Sequence, residues 1–101
     1  MSQVDMQKHA SLVKKLEELL SITLQMRRIS NDDLLRHFVE ECESWLDFVK
    51  SHTDDEELKS LKREIGARFY ERYNVRIEPK ELDNKRLTAT EELIEEFETV
   101  C

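Results

Sequence analysis

The sequence predicts an all-α fold, an up-down antiparallel bundle of three long helices plus a shorter C-terminal helix. Glycine and proline occur once each in 101 residues, whereas turns and hairpins normally use several of both. Apolar residues recur every three or four positions over long segments, which is the period of an amphipathic helix. The connections between these segments are short, so consecutive helices should pack antiparallel. The chain length predicts one domain, residues 1–101.

The first predicted helix covers residues 3–26. Its apolar stripe is broader than the seam of a two-stranded coiled coil, which favours a bundle. Arg27 and Arg28 follow it, where positive charge suits the C-terminal end of the helix dipole. The centre of the stripe consists of Val4, Met6, Ala10, Val13, Leu16, Leu20 and Leu24, and its shoulders of Leu12, Leu19 and Met26.

The second predicted helix covers residues 31–51. Ser30 followed by Asp33 resembles a capping box and marks its start. Trp45 is the only tryptophan, and its ring should form a large part of the core. The inward stripe consists of Leu35, Phe38, Cys42, Trp45, Leu46 and Val49.

The third helix is predicted over 54–73, because Thr53 and Glu56 form a full capping box. Gly66 lies inside it, and we expect close packing against another helix there, under Trp45, with a kink in the helix as the alternative. Asn74 suits a left-handed residue that ends the helix. Pro79 then opens a short turn that ends at residue 82, residues 83–86 form a polar connection, and a capping box at residues 88 and 91 starts the last helix, 89–100.

Composition excludes several classes of function. No run of about 18 apolar residues exists, so no membrane span is predicted, and the N-terminus lacks the pattern of a secretory signal. A single glycine cannot build a phosphate-binding loop. The net charge of −7 argues against direct nucleic-acid binding and against anionic membranes. Cys42 and Cys101 are too few for a disulfide scaffold, which favours a reducing compartment, the cytoplasm.

Residues that could carry catalysis or bind a metal do not form a recognisable group. His37 and Glu41 lie one helical turn apart, but the Glu-x-x-His pairs of carboxylate-bridged metal bundles are missing. Cys42 lies five residues from His37, about 140° around the helix, so the two share no face. Adjacent carboxylates are expected to be solvated. We therefore predict no catalytic residue, no metal and no cofactor.

The distribution of charge is more informative. Glu91 to Glu98 contains five glutamates and no basic residue, and the second helix is also rich in acids. The third helix and the loop after it form a basic flank in which tyrosines are interleaved, and arginine and tyrosine are favoured at interfaces. The predicted protein-binding residues are Glu40, Glu41, Glu43 and Asp47 on the acidic side, and Arg68, Tyr70, Arg72 and Tyr73 on the basic side.

These observations predict a non-enzymatic protein that binds another protein with a basic surface, as an inhibitor, an immunity or antitoxin-like factor, or an adaptor. One alternative is a self-associating module, a homodimer in which the apolar first helix continues the core across a two-fold axis. A more remote alternative is an acidic mimic of nucleic acid. The simplest alternative is that the basic flank packs beside the acidic last helix and both are ordinary surfaces.

Overall fold

The computed structural model describes residues 6–51 and 54–100, with side chains from Ala10 onward. Within these residues the chain forms helices α1 (Met6–Ile29), α2 (Asp33–Ser51), α3 (Asp55–Arg68) and α4 (Lys80–Val100) and no strand. A π-helical turn, Phe69–Tyr73, continues α3. The all-α bundle is confirmed. The predictions on Val4, Thr53 and Cys101, and those on the side chains of Met6 and His9, lie outside the described residues.

Contacts between helices show that neighbours run antiparallel. As the residue number rises along α1, the number of the contacting residue falls on both α2 and α4, the two helices that α1 packs against most closely. The same relation holds between α2 and α3. Lys15 pairs with Glu92 at 3.2 Å between α1 and α4, and Met26 packs against Leu35 between α1 and α2. Between α2 and α3, Glu41 pairs with Arg68 and Trp45 with Glu64. Ile22 and Thr88 line one surface cavity, and Leu20 and Leu46 line another.

Aromatic rings from α2 and the end of α3 fill the centre of the core. Phe38 lies 4.5 Å from Tyr73 and 6.1 Å from Trp45, measured between ring centroids. Trp45 is 2% exposed, as its predicted core position requires, and its indole N–H donates to Glu64 at 3.1 Å. This hydrogen bond satisfies the single polar atom of the buried indole ring.

The buried face of α1 differs from the predicted one. Leu12, Leu19 and Met26, predicted as shoulders, are fully buried, as is Leu16. Leu24, predicted at the centre of the stripe, is 40% exposed. The reason is that α1 packs against both α2 and α4. Its most deeply buried side chains are those that point between these two helices, and most of them lie away from the centre of its apolar stripe.

Aspartates cap the starts of α2 and α3. Asp32, not Ser30, caps α2, because its carboxylate accepts the Leu34 N–H at 2.9 Å. Asp54 caps α3 by accepting the backbone N–H groups of Glu56 and Glu57. In both cases an aspartate one residue before the helix supplies the acceptor that orphan N–H groups need.

The last helix begins earlier than predicted. It starts at Lys80, with the Asp83 N–H donating to the Pro79 carbonyl at 3.0 Å, and the predicted connection over residues 83–86 is helical. Thr88 therefore lies inside α4 and caps nothing. Asn74, predicted in a left-handed conformation, has a negative φ of −86°.

A buried ion pair explains why residues 83–86 are not a loop. Asp83 and Arg86 are both fully buried, and the Arg86 Nε donates to Asp83 at 2.7 Å. The other guanidinium nitrogens donate to the carbonyls of Tyr73 and Val75 at 3.0 and 2.8 Å, and the second Asp83 oxygen accepts the Ile77 N–H at 3.1 Å. These two side chains thereby supply hydrogen-bond partners to the backbone groups of the segment that joins α3 to α4. Because the two side chains must lie on one face of a helix to do so, α4 is already helical at Asp83.

Gly66 is not a site of close packing. A Cβ built at this position meets no atom within 4 Å, and the residue has no positive φ. The prediction of tight packing under Trp45 is therefore wrong. The main effect of Gly66 is therefore the extra backbone freedom of glycine in the unfolded chain, which destabilises the helix relative to alanine.

We expect Gly66→Ala to raise the free energy of unfolding by about 0.5–1 kcal/mol, because alanine is the better helix former and nothing opposes its methyl group. Urea unfolding followed by circular dichroism measures this change. A loss of stability would show that a Cβ is not tolerated there.

The chain offers a matched pair of Asp-x-x-Arg ion pairs for testing the role of burial. Arg86→Met should cost about 3–5 kcal/mol, because it leaves the Asp83 charge buried without its cation. Arg36→Met removes the cation of an exposed pair of the same spacing, Asp33–Arg36 at 3.4 Å, and should change stability by no more than about 0.5 kcal/mol. Equal losses in the two variants, measured by the same urea unfolding, would contradict the structural role of Arg86.

Candidate protein-binding surface

Three of the predicted acidic residues share an exposed face of α2. Glu40, Glu43 and Asp47 are all exposed. Glu40 and Asp47 are seven residues apart, two helical turns or about 10 Å along the axis, and Glu43 lies between them within about 60° of rotation. None of the three carboxylates has an ion-pair partner in residues 6–51 and 54–100. We call this group the α2 acidic surface.

Glu41, the fourth predicted acidic contact, has a different environment. It is half-buried on the side of α2 that faces α3, and its Oε1 lies 3.6 Å from the Arg68 Nε. Two predicted contact residues from opposite groups thus bind each other. This pair joins α2 to α3 and brings together charges that the sequence placed on separate surfaces.

Tyr73 does not lie on the surface at all. Its side chain is fully buried against Phe38, so the prediction that it contacts a partner is wrong. The π-helical turn places Phe69 and Tyr73 inwards, one above the other, because residues four apart share a helical face. The remaining members of the basic flank, Tyr70 and Arg72, point outwards, and Tyr70 is 69% exposed.

The Tyr73 hydroxyl and one carboxylate oxygen of Glu41, Oε2, are both buried between α2 and the turn that follows α3. Burial first, and then the nearby Glu41 carboxylate, raise the pKa of the Tyr73 hydroxyl above its ordinary range. The hydroxyl is therefore held neutral between α2 and α3.

The candidate catalytic and metal-binding groups are separated. Cys42 is fully buried, and burial, followed by the negative charge of Glu41, raises the pKa of its thiol above its ordinary range. His37 is exposed on α2. Among the described residues, no three His, Cys, Asp or Glu side chains are grouped so as to hold a metal ion. His52 lies outside those residues.

Two further findings do not depend on any single site. None of the helices in the described residues is long and apolar enough to cross a membrane. Comparisons with protein-family models, with curated proteins and with solved structures found no match for this chain. The geometry of its own side chains is therefore the basis on which a function can be argued.

Sequence reasoning missed the buried Asp83–Arg86 pair. The signal was present as an aspartate and an arginine at helical i, i+3 spacing. The same spacing occurs at Asp33 and Arg36, where both side chains are exposed. Spacing alone therefore could not distinguish a buried structural pair from a solvated one.

The raised pKa values predict a loss of stability at alkaline pH. Cys42 and Tyr73 have ordinary pKa values of 9.0 and 10.0, so above these values the unfolded chain releases protons that the folded chain retains. The contribution of these two groups to the free energy of unfolding is fully present below pH 9. Above pH 9 the free energy of unfolding falls, by about 1.4 kcal/mol per pH unit for the Cys42 thiol.

Urea unfolding of the Cys101→Ser protein between pH 8 and about pH 11 measures this dependence. Adding Cys42→Ala should flatten the slope above pH 9, and adding Tyr73→Phe should flatten it above pH 10. Because the slope is the measured quantity, a constant loss from a cavity does not affect the result. A slope that neither substitution alters would contradict the assignment.

Proposed function

We propose that this protein acts by binding a basic surface of another protein through the α2 acidic surface. One observation supports this above the others: Glu40, Glu43 and Asp47 are exposed and unpaired within the described chain, whereas neighbouring Glu41 is engaged by Arg68. Three unneutralised carboxylates on one helical face repel one another slightly, so a cationic partner lowers their free energy.

The chemistry of such a surface favours fast association. Clustered charge of one sign attracts an oppositely charged partner over several ångströms and raises the association rate constant, an effect that salt screens. Tyr70 and Arg72, exposed at the end of α3, are suited to a second set of contacts, because tyrosine and arginine are enriched among residues that dominate binding energy.

The role we propose is that of an inhibitor, an immunity or antitoxin-like factor, or an adaptor, each of which works by occupying a partner's surface without catalysis. The same proposal places the protein in the cytoplasm. The buried free thiol of Cys42 supports that location, since structural cysteines of oxidising compartments are usually paired.

The test compares two triple variants that remove the same charge from different helices. One carries Glu40→Gln, Glu43→Gln and Asp47→Asn on α2. The matched control carries three Glu→Gln substitutions at exposed positions of α4, namely 91, 95 and 98. Tagged wild-type and control proteins should recover the same basic protein from a lysate of the source cells at low salt, and the α2 variant should not.

The recovered protein then serves as the probe for kinetics. Its association rate constant with the wild-type protein should fall about tenfold or more when the ionic strength rises from about 50 to about 500 mM. An association rate that does not change with salt, or equal recovery by the α2 variant and the control, would contradict the proposal.

A further inference from the structure

A groove between α1 and α2 is lined by residues that the proposed function does not use. Its volume is about 470 Å³, and Leu24, 40% exposed, lies along it. Leu20 from α1 and Leu46 from α2 form its apolar floor. We call it the α1 groove, and its lining includes Glu17, Leu20, Ser21, Leu24, Arg28 and Leu46.

The charges of the α1 groove lie at its two ends. Glu17 and Arg28 are eleven residues apart, about three helical turns, so they share a face of α1 at a separation of about 17 Å. Both are exposed, and neither has an ion-pair partner in the described ranges 6–51 and 54–100. The groove thus carries a negative charge at one end and a positive charge at the other, and between them three leucines lie beside the polar side chains of Ser21 and Gln25.

We propose that the α1 groove is the interface of a homodimer in which α1 packs antiparallel against α1 of a second copy. A two-fold axis near Ser21 and Leu24 brings Glu17 of each copy next to Arg28 of the other, and it places Leu24 of each copy against Ser21 of the other. Such an interface is isologous: each contact occurs twice, and the same patch serves both copies.

Charge complementarity selects the second copy over other occupants. An acidic partner would match Arg28 and leave Glu17 repelled, and a basic partner would do the reverse. A second copy in antiparallel orientation matches both ends and buries Leu24, which a monomer leaves in water. The interface is short, well below the roughly 1,600 Å² of a standard complex, so we expect a weak dimer with a dissociation constant of about 10 μM to 1 mM.

Charge reversal gives a test that does not depend on any other protein. Sedimentation equilibrium should show the wild-type chain dimerising as its concentration rises. Glu17→Arg and Arg28→Glu should each weaken self-association about tenfold or more, because each places like charges in contact twice. Mixing the two single variants should restore a dimer, since position 17 of each variant then meets an opposite charge at position 28 of the other.

Glu18→Arg is the matched control, because it makes the same change of charge on the side of α1 that faces α4 and should leave the dimer intact. Circular dichroism and thermal unfolding show whether each variant is folded. The proposal is overturned if the wild-type chain stays monomeric up to about 1 mM, if the control weakens the dimer as much as Glu17→Arg does, or if the mixture of folded single variants fails to associate.

Discussion

The buried Asp83–Arg86 pair is the interaction on which the rest of the bundle depends. The carbonyls of Tyr73 and Val75 follow the last turn of α3 and have no helical partner, and Arg86 satisfies both from the neighbouring helix. Asp83 neutralises the guanidinium and accepts the N–H of Ile77. A buried charge is stable only when it is paired and its hydrogen-bonding atoms are occupied. This network therefore fixes the α3–α4 connection and the position at which α4 begins.

The same pair also links the connection to the aromatic core. The Arg86 guanidinium lies 5.4 Å from the centroid of the Phe38 ring, and Phe38 packs on Tyr73. Together with the Glu41–Arg68 contact, this fixes how α2 is rotated against α3. That rotation decides which carboxylates of α2 remain free, because it turns Glu41 towards α3 and leaves the α2 acidic surface facing solvent.

Both proposed binding surfaces consist of side chains that the packing of the helices leaves exposed. α1 buries a line of side chains between α2 and α4, so part of its wide apolar stripe stays outside the core, with Glu17 and Arg28 at its ends. On α2, burial of the aromatic side leaves the α2 acidic surface facing solvent. One surface favours a basic partner and the other a second copy of the chain, and they use different residues of the monomer.

The sequence by itself determined the helical class, the approximate helix positions and the aromatic centre around Trp45, because apolar periodicity is a local property of each segment. It did not determine the roles of Asp83 and Arg86, which share their spacing with the exposed pair Asp33 and Arg36. It also predicted that Tyr73 contacts a partner, whereas the structure buries that side chain. Local spacing specifies which residues share a helical face, but only the packing of distant segments decides whether that face meets solvent or the core.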